Sequence, residues 1–172
     1  GFGPGVFPVA GFIPAGGVLR QRQNAGDVDA RGVEAELTWP LSDAMDLRLA
    51  GAWTTAEVDG GTAAPQLTGL RPAQTPEVTA SADLLWRPTD ALRLRVTLRH
   101  EGDRWDDDLN TRRLSAATTL DARVDWTVSP SAVLYFAAEN LADAAVETAQ
   151  TADGIESFDQ PRTVRLGLIW RP

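Results

Sequence analysis

The sequence of 172 residues contains no cysteine, and His100, Tyr135 and Met45 are the single residues of their kinds. Without cysteine there are no disulfide staples, thiolate metal centres or cysteine nucleophiles, and the redox compartment stays open. With one histidine there is no His-cluster metal site, and Ser115 and Ser157 have no His or Lys partner that would make either a nucleophile. Lysine is absent as well; all 16 basic residues are arginine. Positive charge is scarce overall. The net charge is −8 and the pI is near 4.6, which argues against unspecific binding to nucleic acid or to an anionic membrane surface. No apolar run approaches the length of a membrane-crossing helix. That test does not touch a membrane β-barrel, in which half of each strand faces a polar lumen. A mean hydropathy of −0.20 suits either such a barrel or a water-soluble protein. The chain opens on Gly1-Phe2-Gly3, with no initiator methionine or signal peptide, and is expected to be a mature product or a fragment.

What the sequence has in abundance is alternation. Leu92, Leu94, Val96 and Leu98 are separated by Arg93, Arg95 and Thr97. Since a strand shows successive side chains on opposite faces, this segment has one oily and one cationic face. The same pattern runs through Val33–Trp39, Leu47–Trp53, Val78–Trp86, Leu120–Val128 and Val164–Trp170, with Leu85 and Ile169 as exceptions. Segment 132–140 is apolar on both parities. No stretch repeats at 3.6 residues, so the chain reads as all β, an antiparallel up-and-down meander of about eight strands.

The connections predict which side the oily face looks to. Short turns near 40–45, 88–90 and 129–131 alternate strictly with long polar loops near 59–75, 106–116 and 141–160. In a meander this puts all short turns at one end and all long loops at the other, as in outer-membrane barrels. Trp39, Trp86 and Trp126 each end a strand running into a short turn, and Trp170 ends the last strand. All four share the apolar parity, as a girdle of indoles at a bilayer interface would. Trp53 and Trp105 lie toward the long loops. The expectation is therefore a transmembrane barrel with lipid against its apolar rows.

Hairpin arithmetic adds registers. Pairing Arg87 with Ala91 sets Asp83 opposite Arg95 as a lumenal ion pair, Leu84 against Leu94 and Trp86 against Leu92. Pairing Trp126 with Leu134 sets Val124 against Phe136 and turns Tyr135 and Glu139 toward the lumen.

Several motifs, in order, resemble the TonB-dependent outer-membrane receptors near the carboxy-terminal end of their barrel. These are "NAGDVDARGVEAEL" (24–37), "LTGLRPAQTPEVTASADLLW" (67–86), "DDLNTRRLSAATTLDARVDW" (107–126), "AENLADAAVET" (138–148) and "PRTVRLGLIWRP" (161–172). The resemblance covers about residues 18–172, leaving 1–17 as irregular or loop. It implies a bacterial outer-membrane receptor for active uptake of a ferric siderophore or similar scarce nutrient. It also implies a plug domain and a TonB-contacting segment that this chain lacks. Arg165, Gly167 and Trp170 resemble the terminal signal read by the barrel-assembly machinery, although the chain ends on Pro172 where an aromatic is usual. Implied partners are outer-membrane lipid, the TonB complex through the missing amino-terminal part, the assembly machinery and an iron chelate, with no nucleic acid and no cofactor.

No constellation supports catalysis, so no enzyme is expected. His100 sits on the apolar parity near the long-loop end. Asp106, Asp107 and Asp108 lack the spacing of a calcium loop, and the glycines of "GFGPGVF" have no strand–helix context for phosphate. No residue names a ligand. Two other readings stay open: a complete small barrel of eight strands, and a soluble β-sandwich that binds a partner.

Overall fold

A computed structural model describes residues 4–7, 11–17 and 26–171. Seven strands form one antiparallel sheet: β1 (Asp27–Ser42), β2 (Met45–Asp59), β3 (Val78–Thr89), β4 (Leu92–Glu101), β5 (Ala117–Ser129), β6 (Ala132–Glu139) and β7 (Thr163–Trp170). Their spatial order is their chain order. The alternating sequence can form nothing else at low cost, because any helix would scatter these aliphatics around its whole circumference. Tight turns at 43–44, 90–91 and 130–131 join the strands at one end, and loops 60–77, 102–116 and 140–162 join them at the other. Each long loop has local order of its own. The first holds a single 3₁₀ turn (Pro65–Leu67), the second a ribbon of Arg104–Trp105 with Arg113–Leu114, and the third a ribbon of Glu147–Gln150 with Glu156–Phe158. Within residues 1–17, expected to be irregular, Gly5–Phe7 pairs with Gly11–Ile13. Pro172 lies outside the described residues.

The apolar parity of every strand falls on one face and stays uncovered. Among the described residues the buried apolar side chains are only Ala56, Ala64, Leu114, Ala132 and Ala138. Leu166 is 78% exposed, Leu168 58% and Phe136 48%. A β-sandwich hides such rows under a second sheet; here, among the described residues, no second layer lies over them. Nor do the seven strands close on themselves, since β1 and β7 are opposite edges of the sheet. Such edges carry unpaired backbone groups that hydrocarbon cannot satisfy, so in a membrane further strands must continue the sheet.

The registers largely follow the expected parity. Leu134 pairs with Trp126 and Phe136 with Val124, as the turn arithmetic predicts. The β3–β4 hairpin is displaced by one pleat. Trp86 lies opposite Leu94, Leu84 opposite Val96 and Thr89 opposite Leu92, across a bulge between Trp86 and Thr89. Pro88 sits in that bulge, where a residue without an N–H costs the ladder nothing. The Arg87 N–H turns away to donate to the Ala44 carbonyl at 2.7 Å. Parity survives because the slip is two residues long.

Candidate functional site

The second face carries the charged parity and is the concave one, where the clefts of the sheet open. Cross-strand and diagonal ion pairs stud it: Arg87–Asp46 at 2.5 Å, Arg99–Asp121 at 2.5 Å, Arg48–Glu36 at 3.7 Å, and Arg165–Glu139. Arg123 holds both carboxylate oxygens of Asp125, two positions along its own strand. Its guanidinium lies 4.4 Å above the Tyr135 ring centre, a cation–π contact.

The expected ion pair of Asp83 with Arg95 is not formed. The Pro88 bulge brings Thr97 opposite Asp83, and its hydroxyl donates to that carboxylate at 2.6 Å. Arg95 instead faces Leu85 on one side and Arg123 on the other.

Gly167 lies opposite Tyr135 on this face. A Cβ at position 167 would stand 2.4 Å from the ring, so the ring occupies the space a side chain would need. Gly167→Ala must push Tyr135 off Gly167 and away from Arg123. The expected cost is about 1–3 kcal/mol, as for overpacking in other tightly fitted sites. In a double-mutant cycle with Tyr135→Ala, most of that cost should vanish; additive effects would show that the ring does not depend on the glycine.

Toward the long loops the concave face deepens into a cleft of about 770 Å³, lined in part by Glu34, Glu36, Ser81, Arg99, Glu101 and Asp159. Above it the three long loops are fastened together by one buried side chain, Arg104. Its guanidinium pairs with Glu101 at 2.9 Å, donates from Nε to Gln74 Oε1 at 2.9 Å and from Nη2 to the Glu147 carbonyl at 3.0 Å. The Glu147 carboxylate in turn accepts from the Ser115 backbone N–H at 2.7 Å. Asn110 binds the backbone of Arg71 in both directions. Sequence reasoning missed Arg104, Gln74 and Glu147, because nothing in their neighbours sets them apart from other polar loop residues.

In the run Glu139-Asn140-Leu141-x-Asp143, Asn140 is the knot of the third loop. It is buried with φ +48. Its Oδ1 accepts from the Ala144 N–H at 2.9 Å, and its Nδ2 donates to the carbonyls of Ala144 at 2.9 Å and Gln160 at 3.3 Å. Asp143 anchors the far strand by accepting from the Arg162 N–H at 2.9 Å.

Asp107 of the second loop is a turn cap, while Asp106 binds the Gln74 and Arg112 side chains. Asp107 accepts from the backbone N–H of Thr111 and Arg112, and Asp106 lies 3.4 Å from Arg112. Burial pushes the Asp107 carboxyl up, but the hydrogen bonds from Arg112 and Thr111 outweigh it and hold it below its usual range. The hydrogen bond from Arg113 holds Asp103 low as well. A depressed carboxyl stabilises the folded loop above its ordinary pKa, and that contribution is lost as pH falls through the folded value. Amide exchange in 103–113 is therefore expected to be unchanged between neutral pH and about 5 and to quicken below about 4, once corrected for intrinsic rates. Protection that stays flat to lower pH would contradict this role.

On the convex face all four expected indoles are exposed, from 40% for Trp86 to 62% for Trp170. The pairing rows place them in steps. Trp170 shares a row with Ala132. One row further in, Leu168, Leu134, Trp126 and Leu92 are aligned. The next row holds Leu166, Phe136, Val124, Leu94, Trp86 and Met45, and the one after it runs from Val164 to Trp39. Each hairpin thus advances the indole by one two-residue row, or one residue per strand. With a rise of about 3.3 Å per residue and about 4.8 Å between strands, the line through the indoles crosses the rows at about 35°. His100, hydrogen-bonded through Nδ1 to Thr118 at 2.8 Å, and Trp53 lie on a second line parallel to it toward the long loops.

The model of the TonB dependent receptor-like β-barrel family matches residues 3–141. Solved structures share the fold. The siderophore receptor PiuA from Acinetobacter baumannii aligns with a TM-score of 0.74 at 17% identity, over 86% of this chain and 22% of its own. The ferric yersiniabactin uptake receptor FyuA from Yersinia pestis aligns at 0.75 and 22% identity, over 86% of this chain and 24% of its own. The ferric-catecholate import receptor Fiu from Escherichia coli K12 gives 0.69, 18% identity, 83% and 21%. No curated protein matches by sequence. The chain thus spans under a quarter of the length of these receptors. It belongs to the TonB-dependent receptor-like β-barrel family, whose barrels lie in the outer membrane.

Proposed function

We propose that this chain is the carboxy-terminal wall of a TonB-dependent outer-membrane receptor that takes up a ferric siderophore or a similar scarce nutrient, and that it is not an enzyme. The observation that carries the reading is the stagger of the indoles. Strands of a membrane barrel tilt by about 35–45°, so a line drawn at about 35° to the pairing rows is a line of constant depth. Trp39, Trp86, Trp126 and Trp170 then form one girdle. Trp53 and His100 mark the opposite interface, and the stretch Met45–Trp53 rises about 22 Å between them at that tilt. A bilayer's apolar layer needs a band of this height. The relatives of the same fold include receptors for siderophores, ferric yersiniabactin and ferric catecholates, which supports the ligand class.

In this reading a plug domain and the TonB contact come from parts of the receptor outside this chain. The barrel-assembly machinery reads Arg165, Gly167 and Trp170, and the girdle sits in lipid. The clasped long loops and the cleft below them form part of the ligand vestibule. The test is uptake of radio-iron by cells whose only ferric-chelate receptor is the full-length protein. At least one ferric chelate should accumulate, and loss of TonB should abolish accumulation. Uptake that persists without TonB would overturn the proposal, and none for any chelate would overturn its ferric-siderophore form.

A further inference from the structure

Loops 60–77, 102–116 and 140–162 together hold ten carboxylates and five arginines, and each of those arginines is already committed to an acid. Arg71 pairs with Glu77 at 3.3 Å, Arg113 with Asp103 at 3.0 Å, Arg112 with Asp106 at 3.4 Å and Arg162 with Asp143 at 3.8 Å, beside the Arg104–Glu101 pair. The cleft beneath the loops repeats this pattern. Its floor is two pairing rows with small side chains in the middle, Ala52 beside Thr79 and Ala50 beside Ser81. One row runs from Glu34 to Glu101 and the other from Glu36 to Arg99. Asp159 reaches the same cleft from the third loop. Asp121 holds Arg99, and Arg48 holds Glu36. Among the described residues, the charged groups of the cleft left without an ion pair are the carboxylates of Glu34 and Asp159. Arg93 and Arg95, which have no such partner either, lie two and three rows further toward the short turns.

We infer that this cleft takes a ferric chelate of net positive charge, one whose ligating groups just neutralise the iron and which carries a pendant ammonium for Glu34 and Asp159. This rests on the importer reading above and deepens it by naming the charge class of the cargo. Three hydroxamates neutralise ferric iron, so an amine elsewhere on such a chelate makes it cationic. Three catecholates leave the complex strongly anionic, and at this mouth it would meet carboxylates and no uncommitted guanidinium. Like charges brought together in this way suppress a wrong partner. An ammonium is drawn in before contact as well as on it, because the low-dielectric walls of a cleft focus the field of its carboxylates. The small side chains of the floor keep open a volume of about 770 Å³, which lies within the range of small-molecule sites.

The test compares three radio-iron chelates in cells whose only ferric-chelate receptor is the full-length protein. They are a trihydroxamate bearing a free ammonium, the same chelate with that amine acetylated, and a tris-catecholate. The ammonium chelate should accumulate in a TonB-dependent way and the catecholate should not. Acetylation removes one charge interaction and should raise the half-saturating concentration about tenfold. Glu34→Gln with Asp159→Asn should raise it by a similar factor for the ammonium chelate and leave it unchanged for the acetylated one. The new amide at 159 keeps an oxygen that can accept from the Gln160 N–H, now bound at 2.7 Å, and heat-modifiable gel mobility checks that the variant barrel has formed. The comparison of chelates on the wild type depends on no variant. Equal uptake of the ammonium and acetylated forms, or TonB-dependent uptake of the catecholate, would overturn the inference and leave the importer reading standing. Uptake of none of the three would overturn the ferric-siderophore reading and this inference with it.

Discussion

Leu49→Arg is expected to cost the inserted barrel about 2–4 kcal/mol, the penalty for arginine on the lipid face near the bilayer midplane. Leu49 lies between Leu37 and Ala82 in the pairing rows, midway between the line of four indoles and the line of Trp53 and His100. It is already 37% exposed. In a water-soluble protein, adding a charge at so open a site would change stability by about 0.5 kcal/mol or less. The adjacent change, Ala50→Arg, supplies the contrast. Ala50 lies on the concave parity between Ser81 and Glu36, where a guanidinium finds water and a carboxylate. Urea midpoints of the two variants refolded in lipid vesicles should therefore differ sharply, with Ala50→Arg close to wild type. Equal midpoints would mean that the two faces meet the same medium.

Asn140→Ala is the second large effect, about 3 kcal/mol in the stability of loop 140–162. Removing the amide leaves the Ala144 N–H and the carbonyls of Ala144 and Gln160 without their partner. Each buried group so stranded costs about 1–3 kcal/mol, less where water can enter. Alanine also tolerates the positive φ less well than asparagine. Asn140→Gly removes the backbone strain but not the hydrogen-bond loss, so it should recover only part of the stability. Asn140→Asp places an oxygen against two carbonyls and should be no better than alanine. Protease cleavage within 140–162 measures all three. Resistance in the alanine variant equal to wild type would show that the loop is held elsewhere.

How much of this was legible beforehand depends on whether a feature is periodic. Strand parity, the sides taken by Tyr135 and Glu139 and the exposure of the four indoles follow from two-residue alternation, which any register slip of one pleat preserves. The Asp83–Arg95 pair failed at that limit: Pro88 opened a bulge, and a shift too small to alter either face changed every partner. The Arg104 clasp was invisible for another reason. Glu101 is a near neighbour, but Gln74 and Glu147 come from the other two long loops, and loop contacts of that kind leave no period to read. The motif at Glu139–Asp143 stood out as a string of letters, but its work as a knot appears only when Asn140 is seen with positive φ and three hydrogen bonds.

The most direct measurement is depth-dependent quenching of tryptophan fluorescence in the full-length receptor reconstituted into vesicles of brominated lipid. Variants would retain, of this chain's indoles, only Trp39, Trp86, Trp126 or Trp170. All four should be quenched by bromines placed near the headgroups, to similar extents, and less by bromines at the acyl-chain ends. Strong quenching by aqueous acrylamide with no response to brominated lipid, or four widely different depths, would contradict an apolar face turned to the bilayer.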